Sequence, residues 1–341
     1  MKTWFALFIP HSPMDKPNQI SEAIQERMGD DDEWEELLKT LPKVKLPNGR
    51  DMFLYKEYWY PYIHGIFSFQ QHFKAQNSDL ILASLPKAGT TWLKALTFAI
   101  ANRNNYSPSE NPLLTTNPHG LVPFLDNAVY GKNPFFKLDD FSSPRILATH
   151  VPYSALPSSI GDSTCRVIYV CRNPLDQFIS FCHYVAKLLN NPLNPSLIEE
   201  NFNLMCQGVS PYGPFWDHVL GYWKVNQERP DKVLFLKYED MKEDPVSHFK
   251  VLAKFMGFPF FVEEDRQGVV EEILKLCSLD NLKDLEVNKI HKNDVGHPNS
   301  AYFRKGDVGD WANYLTPSMA ERMNKLMEEK FSNTGLNFKF Y

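Results

Sequence analysis

The chain has no apolar run near the roughly 20 residues that a membrane-spanning helix needs. Its formal net charge of -5 gives no basic excess for nucleic acid or an anionic membrane surface. The five cysteines, Cys165, Cys171, Cys182, Cys206 and Cys277, are odd in number and nowhere spaced C-x-x-C. Such usage argues against structural zinc and a disulfide framework and fits a reduced compartment. Trp4-Phe5-Ala6-Leu7-Phe8-Ile9 imitates a secretory leader, but Pro10 and the charges of Asp15 and Lys16 follow too soon for an h-region. A cytoplasmic protein is expected, in which the glycosylation pattern Asn105-Tyr106-Ser107 goes unused. Met14 is an alternative start that would make the first 13 residues an accessory extension. Internal repeats and an interdomain linker are also missing, as is any carboxylate cluster that reads as a metal site.

What remains is ample for a core: 341 residues, 43% of them hydrophobic and 14% aromatic. Residues 1–48 are polar and acidic, with Ile20, Ile24 and Met28 at helical spacing beside a run of Asp and Glu. We expect them to form a partly disordered or frayed helical extension and residues 49–341 to form the folded domain. Between residues 53 and 73 aromatics crowd together, fit either for core packing or for lining an apolar pocket.

Four short apolar segments, Leu80–Leu85, Arg145–Thr149, Arg166–Cys171 and Lys232–Lys237, alternate with helical patterns over 92–103, 174–189, 197–206, 246–256 and 269–277. The alternation predicts an α/β fold, a single domain with a central parallel sheet flanked by helices. Residues 104–140, rich in Pro, Asn and Gly, read as loop. Asn173 with Pro174, and Thr316 with Pro317, read as helix starts.

The first buried strand runs into Pro86-Lys87-Ala88-Gly89-Thr90-Thr91-Trp92 and then a helix. Gly89 allows a ligand to approach the backbone, the helix start offers free amides and a positive dipole end, and Lys87, Thr90 and Thr91 add donors. Trp92 offers a face on which adenine could stack. A phosphate fits such a loop. It is not the Walker A pattern, because Lys87 precedes Gly89 and no Gly-Lys-[Ser/Thr] triplet is present. His150 ends the second strand and Arg172 the third, where ligands of open α/β sheets gather. Ser180 follows Arg172 on the next helix, and the basic, glycine-punctuated stretch Arg304-Lys305-Gly306-Asp307-Val308-Gly309-Asp310-Trp311 is a late anion candidate.

Taken jointly, Pro86 to Trp92, Thr149-His150, Arg172 with Ser180, Lys237-Tyr238-Glu239-Asp240-Met241, and Arg304-Lys305-Gly306 with Gly309-Asp310-Trp311 resemble the cytosolic sulfotransferase family, in its plant branch, from about residue 50 to about residue 335. The resemblance implies a P-loop-like phosphosulfate-binding loop and 3'-phosphoadenosine 5'-phosphosulfate (PAPS) as donor. Its sulfuryl group would pass to a hydroxyl of a small acceptor, leaving 3'-phosphoadenosine 5'-phosphate (PAP). It also implies roles. Lys87, Ala88, Gly89, Thr90 and Thr91 hold the 5' side, Trp92 packs on adenine and Tyr238 reaches that end. Arg172, Ser180, Arg304, Lys305 and Gly306 hold the 3'-phosphate. His150 is the general base and Lys87 assists the leaving group, with no metal. Cys277-Ser278 stands where the family often has a Thr-Ser pair near adenine.

Two departures stand out. Ala148 occupies a position where many animal members carry Lys. In the family's animal dimerisation pattern, mapped onto Ala312 to Glu321, only Thr316 and Glu321 survive, so a monomer is expected. The acceptor stays open among flavonoids and other phenols, hydroxyjasmonate, steroids and desulfoglucosinolates. An ATP-dependent kinase-like phosphotransferase and a non-catalytic small-metabolite binder are the alternative readings.

Overall fold

The computed structural model describes residue 36 and residues 38–133, 135–138, 141–293 and 296–340. The apolar run at 4–9 and the helical spacing of Ile20, Ile24 and Met28 lie outside them. Contacts divide the chain into Met1–Pro42 and Lys43–Tyr341, and the fold is that of the second unit. Its first sheet is antiparallel and was not legible as strands: β1 (Lys43–Lys45), β2 (Asp51–Tyr55) and β3 (Tyr58–Tyr60), in that order. The β2–β3 turn is made by Lys56 and Glu57, both at positive φ, as a tight hairpin requires. This sheet and the helix His64–His72 absorb the aromatic cluster: Tyr60, Phe67, Phe69 and Phe73 are all buried.

The second sheet is the one expected. β4 (Leu80–Ser84), β5 (Ile146–Thr149), β6 (Arg166–Cys171) and β7 (Val233–Lys237) are all parallel, in the order β5-β4-β6-β7. Every residue of β4 is buried, which is why its sequence shows no alternation. At its amino end Asp79 is clamped by Arg145, both buried, through bonds of 2.7 and 2.6 Å. The chain leaves β4 toward β5 on one side and returns to β6 on the other, so the switch of direction opens a crevice above β4 and β6.

Register then aligns the carboxyl ends. Ala83 pairs with Thr149, Ser84 with Val170, and Cys171 with Lys237. The residues that follow, Leu85, His150, Arg172 and Tyr238, therefore emerge along one edge. Behind the sheet, Leu93, Leu96 and Ile100 of helix Thr90–Asn102 pack with Phe249, Leu252 and Ile273 in the main core. The segment 104–140 needs correction. It is not plain loop: Asn111 and Asn117 cap two short helical turns, Pro112–Leu114 and Pro118–Leu121, and a further turn spans Leu125–Val129. Helix Phe215–Glu228 was missed, and Thr90–Asn102 starts two residues earlier than its apolar spacing suggested.

Candidate active site

The loop after β4 is shaped by two left-handed residues, Lys87 at φ 68° and Gly89 at φ 110°. A Cβ on Gly89 would stand 2.7 Å from Cδ2 of Tyr238, so only glycine fits beneath that ring. The helix that follows carries no side-chain cap at Gly89, leaving its amide end available to an anion. Gln177 Nε2 donates to Pro86 O at 2.6 Å and pins the loop from the neighbouring helix Pro174–Leu188. The hydroxyl of Thr90 is engaged with Ser84 at 2.6 Å, whereas that of Thr91 meets His119 Nε2 at 2.9 Å.

Lys87 extends over the rings of Tyr184 and Tyr302, 4.6 and 5.8 Å from their centroids, and donates to Ala301 O at 3.3 Å. Burial, then the charges of Arg172, Arg304 and Lys187, lower its ammonium pKa to about 7. His150 is buried against Phe124 and Tyr212, with ring centroids 4.4 and 5.3 Å away. Its Nδ1 lies 2.6 Å from Ser84 O. A carbonyl only accepts, so Nδ1 carries the hydrogen and Nε2 is left with a lone pair. Burial holds the imidazole neutral, with its pKa down to about 3. The backbone of His150 is fixed on both sides: its amide donates to Asp126 Oδ1, and its carbonyl accepts from His218 Nε2 at 2.9 Å.

Tyr238 joins three pieces. Its ring covers Gly89 and meets Trp92 edge-on at 5.6 Å, the Arg172 guanidinium lies over it at 4.5 Å, and its hydroxyl donates to Gly306 O at 2.7 Å. Arg172 also donates to Asp307 O at 2.5 Å, while Arg304 and Lys305 both pair with Asp310. Lys305 remains about half exposed, its side chain at 47%. Ser278 is occupied as a cap, accepting from Asn281 N at 3.3 Å, and Cys277 is buried in the core.

A cavity of ≈ 520 Å³ opens between these parts, lined among others by Lys87, Ser180, His183, Lys187, Ser300 and Arg304. Of the residues lining it, Arg304 Nε and Nη2 and the ring nitrogen His183 Nε2 are buried without a partner; so is Nε of Arg172, whose Nη2 bonds the same late segment at Asp307. Buried cationic donors are rarely left unpaired in native proteins. Their chemistry suits a phosphate, and the residues present therefore fit a bisphosphorylated nucleotide. Sequence reasoning missed His183, one turn beyond Ser180, and also Lys94 and His119. Spacing alone could have found His183; nothing in the sequence marked the other two.

The residues of the expected site thus converge from β4, β5, β6, β7 and the segment after Phe303. The sulfotransferase domain model matches residues 77–335, which encloses all of them. Two Arabidopsis thaliana proteins, cytosolic sulfotransferases 15 and 14, are each 45% identical, covering 90% and 92% of this chain and 87% and 93% of theirs. A solved Arabidopsis thaliana sulphotransferase superposes with a TM-score of 0.71 at 37% identity, over 89% of this chain and 94% of its own. A mouse sulfotransferase complexed with PAP superposes at 0.64 and 25% identity, over 83% and 95%. No helix of the described residues is long and apolar enough to cross a membrane. With a family model spanning most of its length and relatives at this identity, the chain belongs to the sulfotransferase family.

Proposed function

We propose that this sulfotransferase uses PAPS as donor and transfers its sulfuryl group to a hydroxyl of a small, largely apolar or aromatic plant metabolite. The observation that carries the reading is the state of His150: its Nδ1 is tied to Ser84 O, and Nε2 is free, neutral and ready to accept a proton. The acceptor oxygen attacks sulfur as its proton passes to Nε2, and the bond between sulfur and the bridging oxygen breaks. Lys87 meets the negative charge that gathers on that oxygen. The partner-free donors of Arg172 and Arg304 would take the 3'-phosphate, with Ser180 and His183 lining the cavity that Arg304 borders. Gly306 is held by Tyr238, and Lys305, half exposed and paired with Asp310, would flank the phosphate. Thr90, Thr91 and the loop amides of Ala88 and Gly89 would hold the 5' side, and Trp92 and Tyr238 the adenine.

Phe124 and Tyr212 beside His150 supply apolar walls for the acceptor. That supports a phenol or an apolar alcohol and leaves flavonoid, hydroxyjasmonate, steroid and desulfoglucosinolate acceptors to be separated by assay. The relatives' names and the protein's cysteine usage support a cytosolic location. The test is turnover of labelled PAPS with a pooled panel of these acceptors by the wild type and by His150→Ala. Labelled product from the wild type alone is expected. PAP binding without any product would favour a metabolite binder, and transfer from ATP instead would favour the kinase-like alternative.

A further inference from the structure

Lys94 lies on the face of helix Thr90–Asn102 next to the phosphosulfate loop, fully buried. Among the described residues its ammonium forms no salt bridge. It meets His119 Nδ1 at 3.1 Å and the face of Phe124, 3.3 Å from the centroid. The other nitrogen of His119 reaches Thr91 Oγ1 at 2.9 Å, and the ring is gripped between Phe124 and Tyr302, with centroids 5.4 and 4.1 Å away. Asp126 acts on it only at a distance, and buried lysines without an ion-pair partner are rare in cores that gain nothing from them.

The chain of bonds has a direction. The charge of Asp126 favours the ammonium form of Lys94; as an ammonium it can only donate, so His119 Nδ1 accepts and Nε2 carries the hydrogen. Nε2–H then donates to Thr91 Oγ1, whose own hydrogen is left to point outward from the loop. We propose that Lys94 and His119 are positioning residues of the donor site: a buried relay, Lys94 to His119 to Thr91, that forces the Thr91 hydroxyl to donate to the anionic 5' group. The inference rests on the reading of that loop as the PAPS site. Burial pulls the Lys94 ammonium well below its usual range and the charge of Asp126 opposes that pull; an anion bound beside Thr91 would oppose it further. Each bond of the relay polarises the next, so the three groups act together. The relay also brings a buried cation beside Phe124, whose ring lies 4.4 Å from that of His150, although position 148 holds alanine.

The test is a double-mutant cycle read in PAP affinity and in kcat/KM for PAPS. Thr91→Val and Lys94→Met should each lose about tenfold, and the double variant should lose hardly more than either alone. His119→Gln, which keeps a donor toward Thr91, should recover most of what His119→Leu loses; this pair decides the question even where Lys94→Met fails to fold. Losses that multiply to about a hundredfold, or His119→Gln and His119→Leu behaving alike, would overturn the relay. A wild type that neither binds PAP nor uses PAPS would instead overturn the donor-site reading beneath it.

Discussion

Asp176 offers the sharpest test of how the nucleotide site is assembled. It is fully buried in the first turn of helix Pro174–Leu188, and its oxygens accept from Gly309 N at 2.8 Å and Trp311 N at 3.0 Å. Those bonds fasten the segment that carries Arg304 onto the helix that carries Ser180 and His183. In Asp176→Asn the shape is kept, but one acceptor becomes a donor facing a backbone N–H. One charge-assisted bond is lost and two buried donors, the backbone N–H and the new amide, face each other unpaired, at a cost of about 2–4 kcal/mol. If the segment must be closed to bind nucleotide and the cost falls on that closed state, PAP affinity drops by about 30- to 1,000-fold. Titration calorimetry with PAP, alongside thermal unfolding, measures both effects. A lowered melting temperature with a PAP Kd within about twofold of wild type would refute the idea that this fastening builds the site.

Two further predictions follow from the same geometry. The pKa of Lys87 is depressed to about 7, chiefly by burial and then by Arg172, Arg304 and Lys187. PAP affinity should therefore weaken as pH rises through about 7, because binding above it must first restore the ammonium, and Lys87→Met should flatten this dependence in a calorimetric pH series. The protein should sediment as a monomer, since Thr316 is occupied capping helix Pro317–Lys330 and Glu321 pairs with Lys325 at 2.7 Å. A dimer mass that does not change with concentration would contradict it.

The four parallel strands were legible because each is short and largely apolar, because β4, β6 and β7 are followed by helical spacing, and because burial on both faces of β4 leaves no alternation to read. The loop 86–92 was legible because it needs a left-handed glycine next to donors. Strand β1 is too short and polar to be legible, and the aromatics of β2 and β3 alternate too little to be told from core or pocket lining. Lys94 and His119 escaped for a different reason. Each is an ordinary residue in its own segment, and the relay exists only once the turn Pro118–Leu121 is folded against helix Thr90–Asn102. The tautomer of His150 likewise depends on a carbonyl 66 residues away in sequence, which no local pattern encodes.

The charges of the site explain why it should be both receptive and unstable when empty. A chain of net charge -5 gathers Lys87, Arg172, Lys187 and Arg304 near one cavity, and the last three add to burial in lowering the pKa of Lys87. Mutual repulsion and unpartnered donors are unfavourable in the free protein. A bisphosphorylated nucleotide reverses both terms at once, by neutralising the cations and by satisfying the orphaned guanidinium hydrogens. Affinity for the nucleotide and stability of the fold are then linked: at a concentration one hundred times Kd, PAP adds about 2.7 kcal/mol to unfolding. The segment from Arg304 to Trp311 is tied down by polar bonds to Asp176, Arg172 and Tyr238, with Val308 packed against the core. It is therefore the part of the site whose amide exchange PAP should slow most.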